Sequence, residues 1–110
     1  MKWYKLANNE QDINISEYPV AVHEVNGKKI CLTRFEGAWY AFAYKCPHAS
    51  GIMADGYIDA LGNVVCLVHR YKFSLKNGRN TTGEGYYLKT WPVERREDGL
   101  YVGMAESSWF

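Results

Sequence analysis

Turn signals recur so closely along this chain that they leave no room for a long helix. Asn26-Gly27, Glu36-Gly37, Asp55-Gly56, Gly62-Asn63, Asn77-Gly78, Gly83 with Gly85, and Asp98-Gly99 punctuate it; glycine and asparagine are the residues that tolerate tight-turn backbone geometry. The segments between them are short and rich in β-branched and aromatic residues, which pack well on a pleated surface. "VAVHEV" and "KICLTRF" flank Asn26-Gly27, the strongest short-range hairpin signal. "AWYAFAY", "YIDA", "NVVCLV", "YKFSL", "YYLKTWPVE" and "LYVGM" continue the series. No window of helical length keeps a period of 3.6, and only "NISEYP" suits a single short turn. The expected fold class is all-β, with nine or ten short antiparallel strands forming a sandwich or small barrel.

The totals set outer bounds. A chain of 110 residues, 47% hydrophobic and 15% aromatic, is expected to be one domain with a real core. The formal net charge is +1, and the 13 basic residues are dispersed along the sequence. That pattern excludes a nucleic-acid footprint and a polybasic membrane segment. No apolar run long enough for a signal peptide or membrane anchor is present, so a soluble, cytoplasmic protein is expected. Three cysteines is an odd count, and a reducing compartment disfavours structural disulfides. Thiols beside histidines then point to metal before they point to a bridge.

Those thiols and imidazoles are not spread evenly. "YKCPHASG" holds Cys46-x-His48, and "VCLVHRYKF" holds Cys66-x-x-His69, with seventeen residues between His48 and Cys66. Each pair sits at the end of an expected strand. Between them, "GYIDALGNVVC" reads as a hairpin with strands at residues 57–59 and 64–66 and a turn at residues 60–63. Such a hairpin returns the chain to its start and sets the two loops side by side. Two of the three cysteines and two of the three histidines fall in these loops, which argues against unrelated packing residues. A structural zinc site remains open, although its usual spacings put Cys with Cys and His with His. Mixing one of each per loop suits two metal ions with different ligand sets, as in a two-iron, two-sulfide centre with two histidines in place of two cysteines.

On these motifs the sequence resembles a Rieske-type ferredoxin over most of its length. "FSLKNGR" is similar to the family's segment after the second loop, and "TWPVERREDGLYVG" resembles its last two strands. The resemblance implies an antiparallel base domain with a small inserted cluster-binding subdomain, here residues 44–75. It implies a two-iron, two-sulfide cluster with Cys46 and Cys66 on the inner iron and His48 and His69 on the outer one. It further implies an electron carrier rather than an enzyme, passing single electrons from a flavin-dependent reductase to a terminal oxygenase. Pro47, Ala49, Ser50, Val68 and Arg70 would flank the exposed imidazoles as a small docking face, and bulk at Ala49 or Ser50 would screen it. A second functional expectation is the small Rieske subunit of a nitrite reductase or similar larger oxidoreductase; a third is a zinc-stabilised structural module.

Charge counting explains what mixed ligation does. Two ferric ions, two sulfides and two thiolates sum to zero, so reduction takes the centre only to minus one. A four-cysteine cluster must go from minus two to minus three, which is harder in a low dielectric, so histidine ligation raises the potential. Within the family, high-potential respiratory members place a serine two positions and a tyrosine four positions after the second histidine. Here those positions hold Tyr71 and Phe73, and the extra cysteines that form a disulfide in the respiratory loops are replaced. A potential near about −150 mV is therefore expected, rather than the positive end of the range. Arg70 stands where many relatives have glycine, and Ser74 where they have aspartate. Cys31, in "KICLTRF", is expected to be a packed thiol, and His23 an ordinary strand residue.

Overall fold

Asn26 and Gly27 take φ of 51° and 78°, and Glu36 and Gly37 take 51° and 82°. Each pair closes a two-residue hairpin, joining Val25 to Lys28 and Phe35 to Ala38. Positive φ at both central residues is the geometry whose twist matches the flanking strands. The computed structural model describes residues 1–13, 15, 19–47, 51–68 and 70–104. Among these residues, ten strands follow one another: β1 (Lys2–Ala7), β2 (Ala21–Val25), β3 (Lys28–Phe35), β4 (Ala38–Ala43), β5 (Tyr57–Ile58), β6 (Asn63–Val65), β7 (Lys72–Ser74), β8 (Thr90–Trp91), β9 (Val93–Arg96) and β10 (Gly99–Met104). The described helical turns are two short 3₁₀ segments, Glu10–Asp12 and Met53–Asp55. The turn expected at "NISEYP" falls largely on residues outside those described.

The strands form three antiparallel sheets, ordered β1-β10-β9, β2-β3-β4-β8 and β5-β6-β7. The third sheet occupies residues 57–74, inserted between β4 and β8 of the second. The segment expected as one strand, "YYLKTWPVE", is divided at Pro92 into β8 and β9, which belong to different sheets. Proline has no N–H for a ladder, and the Pro92 carbonyl instead accepts a hydrogen bond from Gly103 N at 3.0 Å. The break lets one extended segment cross from one sheet to the next.

The central sheet separates two cores. Ile30 and Leu32 of β3, with Trp39 and Ala41 of β4, join Leu100 and Val102 on one side. Cys31 and Phe42 point to the other side, among Met53, Val64, Cys46, Cys66 and Phe73. Burying each large apolar side chain contributes about 1.5–3 kcal/mol. A strand covered on both faces carries a continuous apolar run rather than an alternating one, and this is why "ICLT" does not reveal its own faces. Thr33, also buried, satisfies its hydroxyl by donating to Pro19 O at 2.7 Å.

An ion pair ties the early chain to its last hairpin. Arg95 Nε donates to Glu10 Oε2 at 2.8 Å and Nη2 to Oε1 at 3.0 Å, a bidentate arrangement. Trp39 Nε1 donates to the same Oε1 at 2.6 Å, and Arg95 also donates to Gly37 O. Hydrogen bonds from Arg95 and Trp39 hold the Glu10 carboxyl below its ordinary value.

Candidate metal centre

The two loops that carry the candidate ligands are closed by equivalent backbone hydrogen bonds. Past β4, Lys45 bridges to Ile52, and Met53 N donates to Tyr44 O at 2.7 Å, so the chain doubles back. At the neck of this loop Cys46 N donates to Gly51 O at 2.8 Å. In the second loop, between β6 and β7, Cys66 N donates to Tyr71 O at 2.9 Å. Each cysteine thus closes its loop through its own N–H onto the carbonyl five residues ahead. One loop encloses residues 47–50 and the other residues 67–70.

The loops touch at a glycine. A Cβ added to Gly51 would lie 2.5 Å from Val68 Cγ2 and 3.1 Å from Cys66 Sγ. Gly51 does not take positive φ, so its lack of a side chain serves close approach and not backbone freedom. The residue that closes the first loop is therefore packed on the thiol of the second. The expected hairpin joins the loops, but it pairs Tyr57 with Val65 and Ile58 with Val64. Its turn therefore falls at residues 59–62, one residue earlier than the expected 60–63, because Asp59 caps the turn and Asn63 joins the strand. Asp59 closes its turn, accepting from Leu61 N at 2.9 Å, Asn63 N at 3.0 Å and Asn63 Nδ2 at 3.2 Å.

Cys46 and Cys66 are 5% and 1% exposed and share one core cluster. None of the three cysteines is in a disulfide. Two buried thiols in one core cluster, one of them packed against the glycine that closes the other's loop, are soft donors of the kind that hold a thiolate-bound metal centre. The third cysteine, Cys31, is set apart: burial, with a smaller contribution from the Asp55 charge, pushes its thiol up to about 12. It is fully buried beside Phe42, as the packed thiol expected from the sequence. His48 and His69, the expected imidazole ligands, lie outside the described residues, as do Ala49 and Ser50 of the expected docking face. Among the described residues there is accordingly no group of three His, Cys, Asp or Glu.

Around the loops, Pro47 and Arg70 are exposed and Val68 is 49% exposed, where a docking face was expected. Leu67, 47% exposed, joins them; its place beside Cys66 in "CLVH" is the signal for it. Arg70 takes φ of 61°, the left-handed region that glycine occupies without penalty. A glycine here, as the family resemblance implies for many relatives, would take this backbone without strain. Phe73 is fully buried and offers no hydroxyl.

A third loop, at the turn signalled by Gly83 and Gly85, stands beside the second, a placement the sequence does not reveal. Asn80 Nδ2 lies 3.0 Å from each of Lys72 O, Thr82 Oγ1 and Glu84 Oε1, three acceptors that share its two N–H groups, while its Oδ1 accepts from Gly85 N at 3.1 Å. This hub shapes the run that carries Tyr86, whose ring stacks on Tyr71 with centroids 6.1 Å apart. Desolvation, followed by the charges of Glu84, Tyr86 and Cys46, raises the Tyr71 phenol above its ordinary value.

A profile of the Rieske [2Fe-2S] domain family matches residues 2–92. The chain is 24% identical over 82 residues to the ferredoxin component of the alkene monooxygenase system of Xanthobacter autotrophicus, covering 74% of this chain and 67% of that one. It is 32% identical over 96 residues to a nitrite reductase [NAD(P)H] of Emericella nidulans, covering 76% of this chain but 9% of that protein. In fold it is similar to the ferredoxin of carbazole 1,9a-dioxygenase from Nocardioides aromaticivorans, with a TM-score of 0.77, 17% identity and coverage of 93% and 97% of the two chains.

Proposed function

Because the chain belongs to the Rieske [2Fe-2S] domain family, we propose that it is a one-electron carrier. Cys46 and Cys66 hold one iron of its cluster, and His48 and His69 hold the other. The observation that carries the ligand assignment is the pair of equivalent loops, each closed by its own cysteine's N–H and meeting where Gly51 packs on Cys66 Sγ. When bound, the cluster supplies one-electron redox chemistry with little charge accumulation.

The chain's own residues do the rest. The core around Phe73, Val64 and Met53 keeps water from the thiols, and the two neck hydrogen bonds fix the loop bases. Residues 44–75 act as the cluster-binding subdomain, and Pro47, Ala49, Ser50, Val68 and Arg70 as its docking face. In this reading the protein works in the cytoplasm. Among the described residues no helix is long and apolar enough to cross a membrane. It takes electrons from a flavin-dependent ferredoxin reductase and delivers them to a terminal oxygenase, the kind of system to which the alkene monooxygenase relative belongs.

The 32% match to a nitrite reductase favours one second reading, a Rieske subunit of a larger reductase. Mixing the reduced protein with an oxygenase component or with a sirohaem reductase separates the two by which one reoxidises it. The cluster itself is tested on the purified protein: a reddish-brown colour, iron and sulfide in equal amounts, and a rhombic EPR signal on reduction are expected. A colourless protein loaded with zinc overturns the reading. His69→Ala should lose the spectrum and Cys31→Ser should keep it; an unchanged spectrum in His69→Ala overturns the ligand assignment.

A further inference from the structure

Lysines dispersed along the sequence meet at one end of the central sheet. The β3–β4 ladder ends there with Ile30 opposite Ala43, and two residues beyond that pair lie Lys28 and Lys45. Ala43 N donates to Lys89 O at 2.9 Å, bringing Lys89 alongside. Together with Lys29, these side chains ring a groove of about 440 Å³ whose apolar lining comes from Tyr44, Trp91 and Ala43. All four lysines are exposed, and among the described residues no Asp or Glu lines the groove.

Among the described residues no ion pair neutralises these lysines: those formed use Lys5, Lys72, Arg95 and Arg96, none of them in the groove. The neighbouring carboxylate by register is Glu24, across β2–β3 from Lys29 and outside the lining. Lys28 Nζ sits 5.7 Å from the Trp91 ring centroid, and Lys29 Nζ sits 5.2 Å from that of Tyr44. Adjacent strand residues point to opposite faces, so the ammonium groups straddle the sheet end instead of converging on one point. That spread suits an extended series of carboxylates better than a single small anion, and the aromatic floor between them suits an apolar side chain.

We propose that this lysine-ringed groove docks an acidic protein segment carrying an apolar side chain. Lys45 immediately precedes Cys46, so the occupant sits beside the first ligand loop. The inference goes beyond the electron-carrier reading and does not depend on it.

The test is calorimetric titration of the cluster-loaded protein with a short synthetic peptide of glutamates around a central phenylalanine. Binding is expected to weaken as salt is raised and to weaken when serine replaces the phenylalanine. Lys28→Glu with Lys89→Glu should lower the affinity by about tenfold, with an intermediate loss for the Lys28→Gln, Lys89→Gln pair. Lys2→Glu with Lys76→Glu, away from the groove, should leave it unchanged. Retained visible spectrum and melting temperature establish that each variant is folded. The proposal is overturned by absence of binding heat, by equal losses in the groove and control pairs, or by tighter binding to oligothymidylate or phosphatidylserine vesicles. The peptide is redox-inert, so a protein that bound it without carrying iron would sink the carrier reading alone.

Discussion

Gly51→Ala is the smallest change that probes how the two ligand loops fit together. The new methyl would stand 2.5 Å from Val68 Cγ2 and 3.1 Å from Cys66 Sγ, against a comfortable carbon–carbon separation of about 3.5–4.0 Å. The two clashes are not equivalent. Val68 is 49% exposed and its methyl swings aside for about 0.5–1.5 kcal/mol. Cys66 is 1% exposed, is anchored by its N–H to Tyr71 O, and has nowhere to go. Overpacking of this kind costs about 1–3 kcal/mol, offset by about 0.4–1 kcal/mol because alanine restricts the unfolded chain. The net loss of stability is therefore between about 0 and about 2.6 kcal/mol, centred on about 1.3, with the displaced sulfur altering the cluster's spectrum and potential. The assay is thermal melting alongside visible circular dichroism and protein-film voltammetry. In the double variant Gly51→Ala, Val68→Ala, melting should recover in part while the spectral change persists. If Gly51→Ala leaves melting, spectrum and potential all as in the parent, the loops are not packed as argued.

Three other outcomes follow from the same geometry. Arg70 sits at φ of 61°, so Arg70→Gly should be more stable than Arg70→Ala by about 1 kcal/mol, and equal urea midpoints would refute the strain. Burial raises the Asp59 carboxyl, but hydrogen bonds from Asn63, Leu61 and Lys72 outweigh it and leave it below its ordinary 3.8. A depressed carboxyl contributes stability that is present above its unfolded value and is lost as pH falls through its folded value. Urea midpoints should therefore drop below pH 3.8 in the parent, and this acid dependence should flatten in Asp59→Asn. Glu10→Ala leaves the Trp39 indole N–H, in a residue 7% exposed, without its acceptor. It should lose about 1–3 kcal/mol, and Glu10→Gln should lose less because the amide oxygen still accepts; equal losses would refute the Trp39 role.

Features carried by near neighbours in the chain are legible in the amino-acid order. Asn26-Gly27 specifies its hairpin because the turn geometry is a property of two residues, and the observed φ values agree. The hairpin between the two cysteine-bearing loops is readable as a hairpin for the same reason, but its register is one residue off the expected one, because the Asp59 side chain's hydrogen bonds to Leu61 and Asn63 set where the turn begins. The proposed thiol donors, Cys46 and Cys66, are legible as candidates because metal chemistry restricts the donor types, and both are buried in one cluster. The histidine half of the site lies outside the described residues and rests on the motif and the family.

Other features depend on contacts between distant segments. Cys31 has no readable face because β3 is covered on both sides, and periodicity carries no signal when neither face is polar. Gly51 reads as an ordinary loop glycine until Cys66 and Val68 arrive from the other loop. Pro92 marks a break in sequence, but which sheets it connects follows from long-range pairing. The lysines at positions 28, 29, 45 and 89 are dispersed in sequence, and the β3–β4–β8 ladder makes them neighbours. Donor chemistry and hairpins are properties of single residues or near neighbours, so the order of amino acids suffices for both. The close approach of the loops and the charged groove come only with folding, because each needs segments far apart in the chain to meet.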